Sequence, residues 1–224
     1  MKRVLLALAG VLVAAQAAFA GSGATYTVTF EGDWTATNHP REYPANAHFS
    51  GLIGATHNGG YSLFREDGIA SDGLEKLAET GSHSPLDQEI RKAIEAGTAG
   101  ALLTSSPLFN LPKSTSITFA VDEKHPMVSL VAMIAPSPDW FAGVANVSLR
   151  AGGSWVKHHE VIVYAWDAGT DSGTTYQADD ADTQPRQPIA LNRSHHFTNG
   201  KTLLPVGKLV FERKDGTAPR ASLK

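Results

Sequence analysis

The chain has 224 residues, 42% of them hydrophobic and 18% charged, enough for one large domain or at most two small ones. Its formal net charge is -3 and no Lys/Arg run exceeds two residues, which argues against a nucleic-acid partner. With no cysteine, no disulfide can staple the fold.

Met1-Lys2-Arg3, the apolar run Val4 to Ala15 and then Ala18-Phe19-Ala20 read as a secretory signal peptide over residues 1–20. An uncleaved anchor would need a longer apolar run. No cysteine follows Ala20, which excludes a lipid-anchored lipoprotein, and no later segment is apolar enough to span a bilayer. The expectation is a secreted or periplasmic protein with one domain over 21–212 and a disordered tail over 213–224.

Further along, Tyr26 to Phe30 alternates apolar and polar residues as a half-buried strand does. Two short helices follow. One runs from about Asp72 to Glu79, with Leu74, Leu77 and Ala78 inward, and stops at Gly81. For the other, Ser84 is the expected N-cap, with Pro85 in the first turn; Leu86, Ile90, Ala93 and Ile94 share a face before Gly97. Ser116 to Val121 alternates again, and Val128 to Ile134 is almost wholly apolar, a strand covered on both faces. Val144–Leu149, Val156–Ala165 and Leu204–Glu212 are further strands, while Gln177 to Gly200 is polar and irregular. Strands dominate.

Two segments stand out chemically: Pro136-Ser137-Pro138-Asp139-Trp140-Phe141-Ala142-Gly143-Val144 and Trp166-Asp167-Ala168-Gly169-Thr170-Asp171-Ser172-Gly173. Each sets aspartate beside an aromatic residue at the end of an apolar run. Asp139, Asp167 and Asp171 can then share one rim of a β structure, where three carboxylates repel unless a cation sits between them. Hard oxygen donors on glycine-containing loops suit Ca2+ better than zinc or copper. Turn capping is the competing account, because Asp-x-Gly is ordinary turn chemistry. Asp171-Ser172-Gly173-Thr174 also has the form of an aspartic-protease motif, but no second copy exists and the preceding residues are not an apolar strand.

The nine histidines raise zinc as a possibility. His158-His159-Glu160 is not His-Glu-x-x-His, and His195-His196 sits in a polar loop with no carboxylate at ligand spacing, so both pairs read as solvated. His48 and His57 flank apolar residues and read as hydrogen-bonded structural groups. Trp140, Phe141 and Trp166 read as packing beneath the loops. No Gly-x-Ser-x-Gly surrounds any serine.

The two aspartate segments resemble the hallmark segments of the spondin N-terminal domain family, the F-spondin/mindin-like module. Trp34 before His39-Pro40, Ala47 to His57, Ala70-Ser71-Asp72-Gly73, Ala78 to Gly81 and His125 to Ser129 agree in order and spacing, from about Thr29 to Ile189. The resemblance implies an all-β antiparallel sandwich of about eight strands, jelly-roll or C2-like. It also implies Ca2+ held by Asp139, Asp167 and Asp171, and a non-catalytic recognition or adhesion role toward a protein or glycan at the cell surface or in the matrix. Animal members generally carry disulfides; their absence here suggests a bacterial exported protein. The runner-up function is a metal-dependent hydrolase acting on polysaccharide or peptide. No Trp-x-x-Trp is present, so roles that depend on thrombospondin-type repeats do not carry over.

Overall fold

In the computed structural model, which describes residues 23–214, the chain opens with β1 (Gly23–Gly32). Tyr26, Val28 and Phe30 point inward, while Thr27 and Thr29 pair across the outer face with Thr118 and Ser116, each at 2.9 Å. The signal-peptide reading of 1–20 and the tail beyond Lys214 lie outside the described residues. Arg213 itself ends a strand, and the Lys214 N–H donates to Thr25 O at 2.8 Å.

After β1 come β2 (His48–Phe49), β3 (Ile53–His57), α1 (Asp72–Thr80), α2 (Leu86–Glu95), β4 (Ala99–Thr104), β5 (Leu108–Phe109) and β6 (Lys113–Asp122). The second half holds β7 (Met127–Ala135), β8 (Trp140–Ser148), the hairpin β9 (Arg150–Ala151) and β10 (Ser154–Trp155), and β11 (His158–Asp167). It ends with β12 (Ala190–Leu191), the hairpin β13 (Thr198–Asn199) and β14 (Thr202–Leu203), and β15 (Gly207–Arg213). Eight strands form one sheet path in the order β4-β3-β7-β8-β11-β15-β1-β6, with every neighbouring pair antiparallel. Leu103 from one end of that path and Phe119 and Val121 from the other join a single core. The sheet therefore curls over on itself. The fold is all-β and sandwich-like with two short helices, as the patterning and the resemblance imply.

β7 explains its own sequence. Leu130, Ala132 and Ile134 enter the core inside the sheet, whereas Val131 faces a second core against the helices. A strand flanked by two cores has no solvated face, so alternation disappears and an apolar run replaces it. The neighbouring β8 does the same: Trp140, Ala142 and Val144 go one way and Phe141 the other. All five residues of β3 are buried, which removed the period-2 signal and hid that strand in the sequence.

α1 starts at Ser71, whose Oγ accepts from Leu74 N–H at 3.2 Å. Glu89 of α2 adds a carboxylate there, accepting from Gly73 N–H at 2.8 Å and from Ser71 Oγ at 2.6 Å. Gly81, at φ 70°, ends the helix in the left-handed region. The expected Ser84 cap on α2 is not made. The amide it would serve, Asp87 N–H, already donates to His83 O at 2.8 Å, and Ser84 Oγ accepts from Gln88 Nε2 instead. No helix among the described residues is long and apolar enough to cross a membrane.

Phe141 is fully buried between β8 and the helices, against Phe64 and Trp166. Phe141→Ala should lower the unfolding free energy by about 3–5 kcal/mol, and Ser71→Ala by about 1 kcal/mol. Urea unfolding of both variants tests these values; a loss under about 1 kcal/mol for Phe141→Ala would mean that the second core is not tightly packed.

Candidate functional site

Asp139 directly precedes β8, and Asp167 is the last residue of β11. These strands pair with Asp167 opposite Trp140, and the Ala168 N–H donates to Asp139 O at 3.2 Å. Both carboxylates consequently leave the sheet at one rim. The chain then turns at Gly169, whose φ is 72° and where a Cβ would lie 2.3 Å from Gln187 O. Only glycine fits that approach. The loop is laced by Gln187 N–H to Gly169 O (2.7 Å), Thr183 N–H to Thr170 O (2.8 Å) and Ser172 N–H to Ala181 O (3.0 Å). Asp171 is held on the same loop cluster.

All three aspartates accept backbone donors, as turn capping requires. Asp139 Oδ2 accepts from Thr170 N–H (2.7 Å), Asp171 N–H (3.2 Å) and the Thr170 hydroxyl (3.3 Å). Asp167 Oδ1 accepts from Gly169 N–H at 2.9 Å. Asp171 accepts from Gly173 N–H at 2.6 Å and Ala181 N–H at 2.7 Å, one on each oxygen. Turn capping leaves one atom unexplained: Asp139 Oδ1 is buried and has no hydrogen-bond partner.

The electrostatics of the rim run against ionised carboxylates. Burial, with the Asp167 charge adding, pushes Asp139 up to about 6, against the pull of the Thr170 and Asp171 amides. Burial also raises Asp167; the Gly169 N–H opposes this and the Asp171 charge adds to it. Glu79, on the last turn of α1, is raised by burial and by the charges of Glu75, Asp180 and Asp171, while the Thr170 hydroxyl opposes. Sequence reasoning missed Glu79: it lies 60 residues before Asp139, and only the docking of α1 brings it to the rim. Arg186 helps fix that docking, donating to Ala70 O at 2.9 Å and to Asp72 at 2.8 Å, and pairing with Glu75.

A second group of side chains converges elsewhere. Among the described residues, the ligand atoms of Glu42, His195 and His196 all lie within 4.8 Å of one another. Those of the three aspartates do not gather that closely. The reading of His195-His196 as a solvated pair is corrected for His196. Its side chain is 0% exposed and its Nε2 lies 2.7 Å from Glu42 Oε2. The carboxylate comes from a loop 154 residues earlier in the chain, beyond the reach of any local spacing rule. His57 is a structural group, fully buried between Ser129 Oγ (2.8 Å) and Asn58 O (2.9 Å). Exposed His158 contacts Glu212 and Glu160. Trp140 and Phe141 are buried packing residues, and Trp166 lies edge-on to Phe64 at 5.2 Å.

The family model described as Spondin_N matches residues 24–202. Spondin-1 of Xenopus laevis is 37% identical over 202 residues, covering 85% of this chain and 25% of the frog protein. Spondin-2 of Rattus norvegicus is 36% identical and that of Homo sapiens 35%, each over 205 residues and 85% of this chain, covering 62% and 61% of those proteins. The chain thus spans about a quarter of the spondin-1 relative and about three-fifths of the spondin-2 relatives.

Because Asp139 holds its proton more tightly folded than unfolded, its contribution is fully present below about pH 4. That contribution is lost as pH rises from about 4 to about 6, where the unfolded chain ionises first. A rise from 3.8 to about 6 corresponds to roughly 3 kcal/mol. In metal-free buffer the stability of the wild type relative to Asp139→Asn should fall by that order across the window, read by urea unfolding at stepped pH. A pH-independent difference would show that the carboxyl is not destabilised by its surroundings.

Proposed function

The chain belongs to the spondin N-terminal domain family, and from that premise we propose that it is an exported recognition module which binds calcium at the Asp139, Asp167 and Asp171 rim and acts by binding, not catalysis. The observation that carries the metal reading is Asp139 Oδ1, buried and unpartnered in a rim where burial, with a neighbouring aspartate charge adding, raises both Asp139 and Asp167. A buried acceptor without a donor costs on the order of 1–3 kcal/mol, and a hard cation relieves both that cost and the repulsion. Asp139 would contribute Oδ1, with Asp167 and Asp171 completing the acidic set and backbone carbonyls and water supplying the remaining oxygens. The backbone donors on the other carboxylate oxygens orient the set, as outer-shell partners do. Bound calcium would supply charge neutralisation and hold the two loops together.

The recognition reading rests on family membership. The partner is a protein or glycan at the cell surface or in the matrix, bound by loops that the calcium-held rim orders. A pull-down from envelope and medium, with calcium and again with chelator, tests it. Calcium-dependent recovery of one partner supports it. Turnover of peptide, ester or glycoside substrates that is lost in Asp139→Asn would overturn it in favour of metal-dependent hydrolysis.

Calcium at about a hundredfold over its dissociation constant should stabilise the protein by ~2.7 kcal/mol. For a domain of this size that is a Tm rise of several degrees, at about 2–4 °C per kcal/mol. Asp167→Asn should remove most of the rise and keep the β-type circular dichroism spectrum. A Tm indifferent to calcium and chelator in both proteins would leave the aspartates as turn caps.

A further inference from the structure

Glu42, His195 and His196 lie apart from the three aspartates in chemistry as well as in ligand grouping. We propose that they form a second metal site, one that takes a borderline transition ion of the Zn2+ type. Two imidazole nitrogens and a carboxylate oxygen are a zinc donor set, whereas calcium takes oxygen alone. The Nε2 atoms of His195 and His196 both aim at Glu42 Oε2, at 3.3 and 2.7 Å. Donors held about 2.0–2.2 Å from a shared tetrahedral ion sit roughly 3.3 Å from one another, so the His195 contact already has that spacing, while the His196 contact, now a direct hydrogen bond, would open by about 0.6 Å to admit the ion.

An ordinary ion pair accounts for less. Glu42 and His196 suffice for a pair; the second imidazole, with ring centroids 4.0 Å apart, adds like charge if protonated and a third donor if neutral. His196 is also built in. It packs between Tyr176 (4.7 Å) and Trp140 (5.3 Å), and its Nδ1 lies 3.2 Å from Ser194 Oγ, which leaves Nε2 directed at Glu42. A second ring nitrogen fixed by a hydrogen bond is the usual support of a metal-binding histidine. Glu42 itself has φ 54°, a left-handed conformation costly for a non-glycine residue. His195 and His196 line a cleft of about 260 Å3 shared with Asn38, Arg41 and Asn199, and Glu42 lines a separate one of about 400 Å3 with Tyr43 and Tyr176, so the donors lie between two solvent-reached clefts. The ion would clip the loop carrying Glu42 to the loop before β13. His196 packs on Trp140, the neighbour of Asp139, so the clip would brace the aromatic wall beside the aspartate rim.

The test titrates the metal-stripped full chain with ZnCl2 by calorimetry and with CoCl2 by visible absorption. One equivalent should bind, with the ligand-field bands of a four- or five-coordinate cobalt ion. Glu42→Gln and His195→Ala replace exposed groups, so folding should persist by circular dichroism while zinc affinity falls about tenfold or more, given that even outer-shell changes cost roughly 10–100-fold. Asp167→Asn should bind zinc as the wild type does, which separates this site from the calcium rim. The proposal is overturned if the wild type binds neither ion, if both loop variants bind zinc with unchanged affinity, or if Asp167→Asn alone abolishes binding.

Discussion

Alternate side chains of β7 and β8 enter two different cores, and the placement of the acidic rim depends on that division. Leu130 and Ala142 pack inside the sheet while Val131 and Phe141 pack under the helices. A one-residue slip of either strand would exchange the two sets, so register is held from both sides. The pairing of Trp140 with Asp167 is then set, and with it the position of Asp139 at the head of β8. Rigid strands carry the carboxylates to the rim, and glycine-bearing loops turn them there.

Such a frame can bury charge that a flexible loop would release to water. Asp139 stays fully buried because Trp140 follows it into one core and Phe141 into the other. The amides of Thr170 and Asp171 serve one of its oxygens and leave the second without a donor. Folding energy therefore holds in place a group that is poorly solvated on its own. The helices share in this: the docking of α1 places Glu79 at the same rim, and Glu89 of α2 caps α1.

The Glu42 cluster differs in kind. Its donors are nitrogen and oxygen, two of its side chains are exposed, and its anchor is aromatic packing around His196. Softer donors with solvent access favour transition ions, whereas an all-oxygen donor set favours calcium. Trp140 and Tyr176 pack on each other at 5.2 Å, and both also contact the His196 ring.

Local pattern made much of the fold legible. Period-2 alternation marked β1 and β6, the apolar run marked β7, and Gly81 marked the end of α1, because each signal arises from neighbours in sequence. The aspartates were visible for the same reason: Asp139 beside Trp140, and Asp167 and Asp171 around Gly169, are short-range motifs, and the family resemblance rests on them. What tertiary structure decided was everything that depends on distant residues. β3 lost its alternation once both its faces were covered, and the Ser84 cap lost its amide to His83. Asp139 Oδ1 became an orphan only when Thr170 and Asp171 closed on its partner oxygen. Glu79 comes beside the Thr170 loop, and Glu42 beside His196, across more than 90 and 150 positions respectively. Sequence states which chemical groups the chain owns and how adjacent ones lie; the long-range packing of two cores on shared strands selects which of them meet.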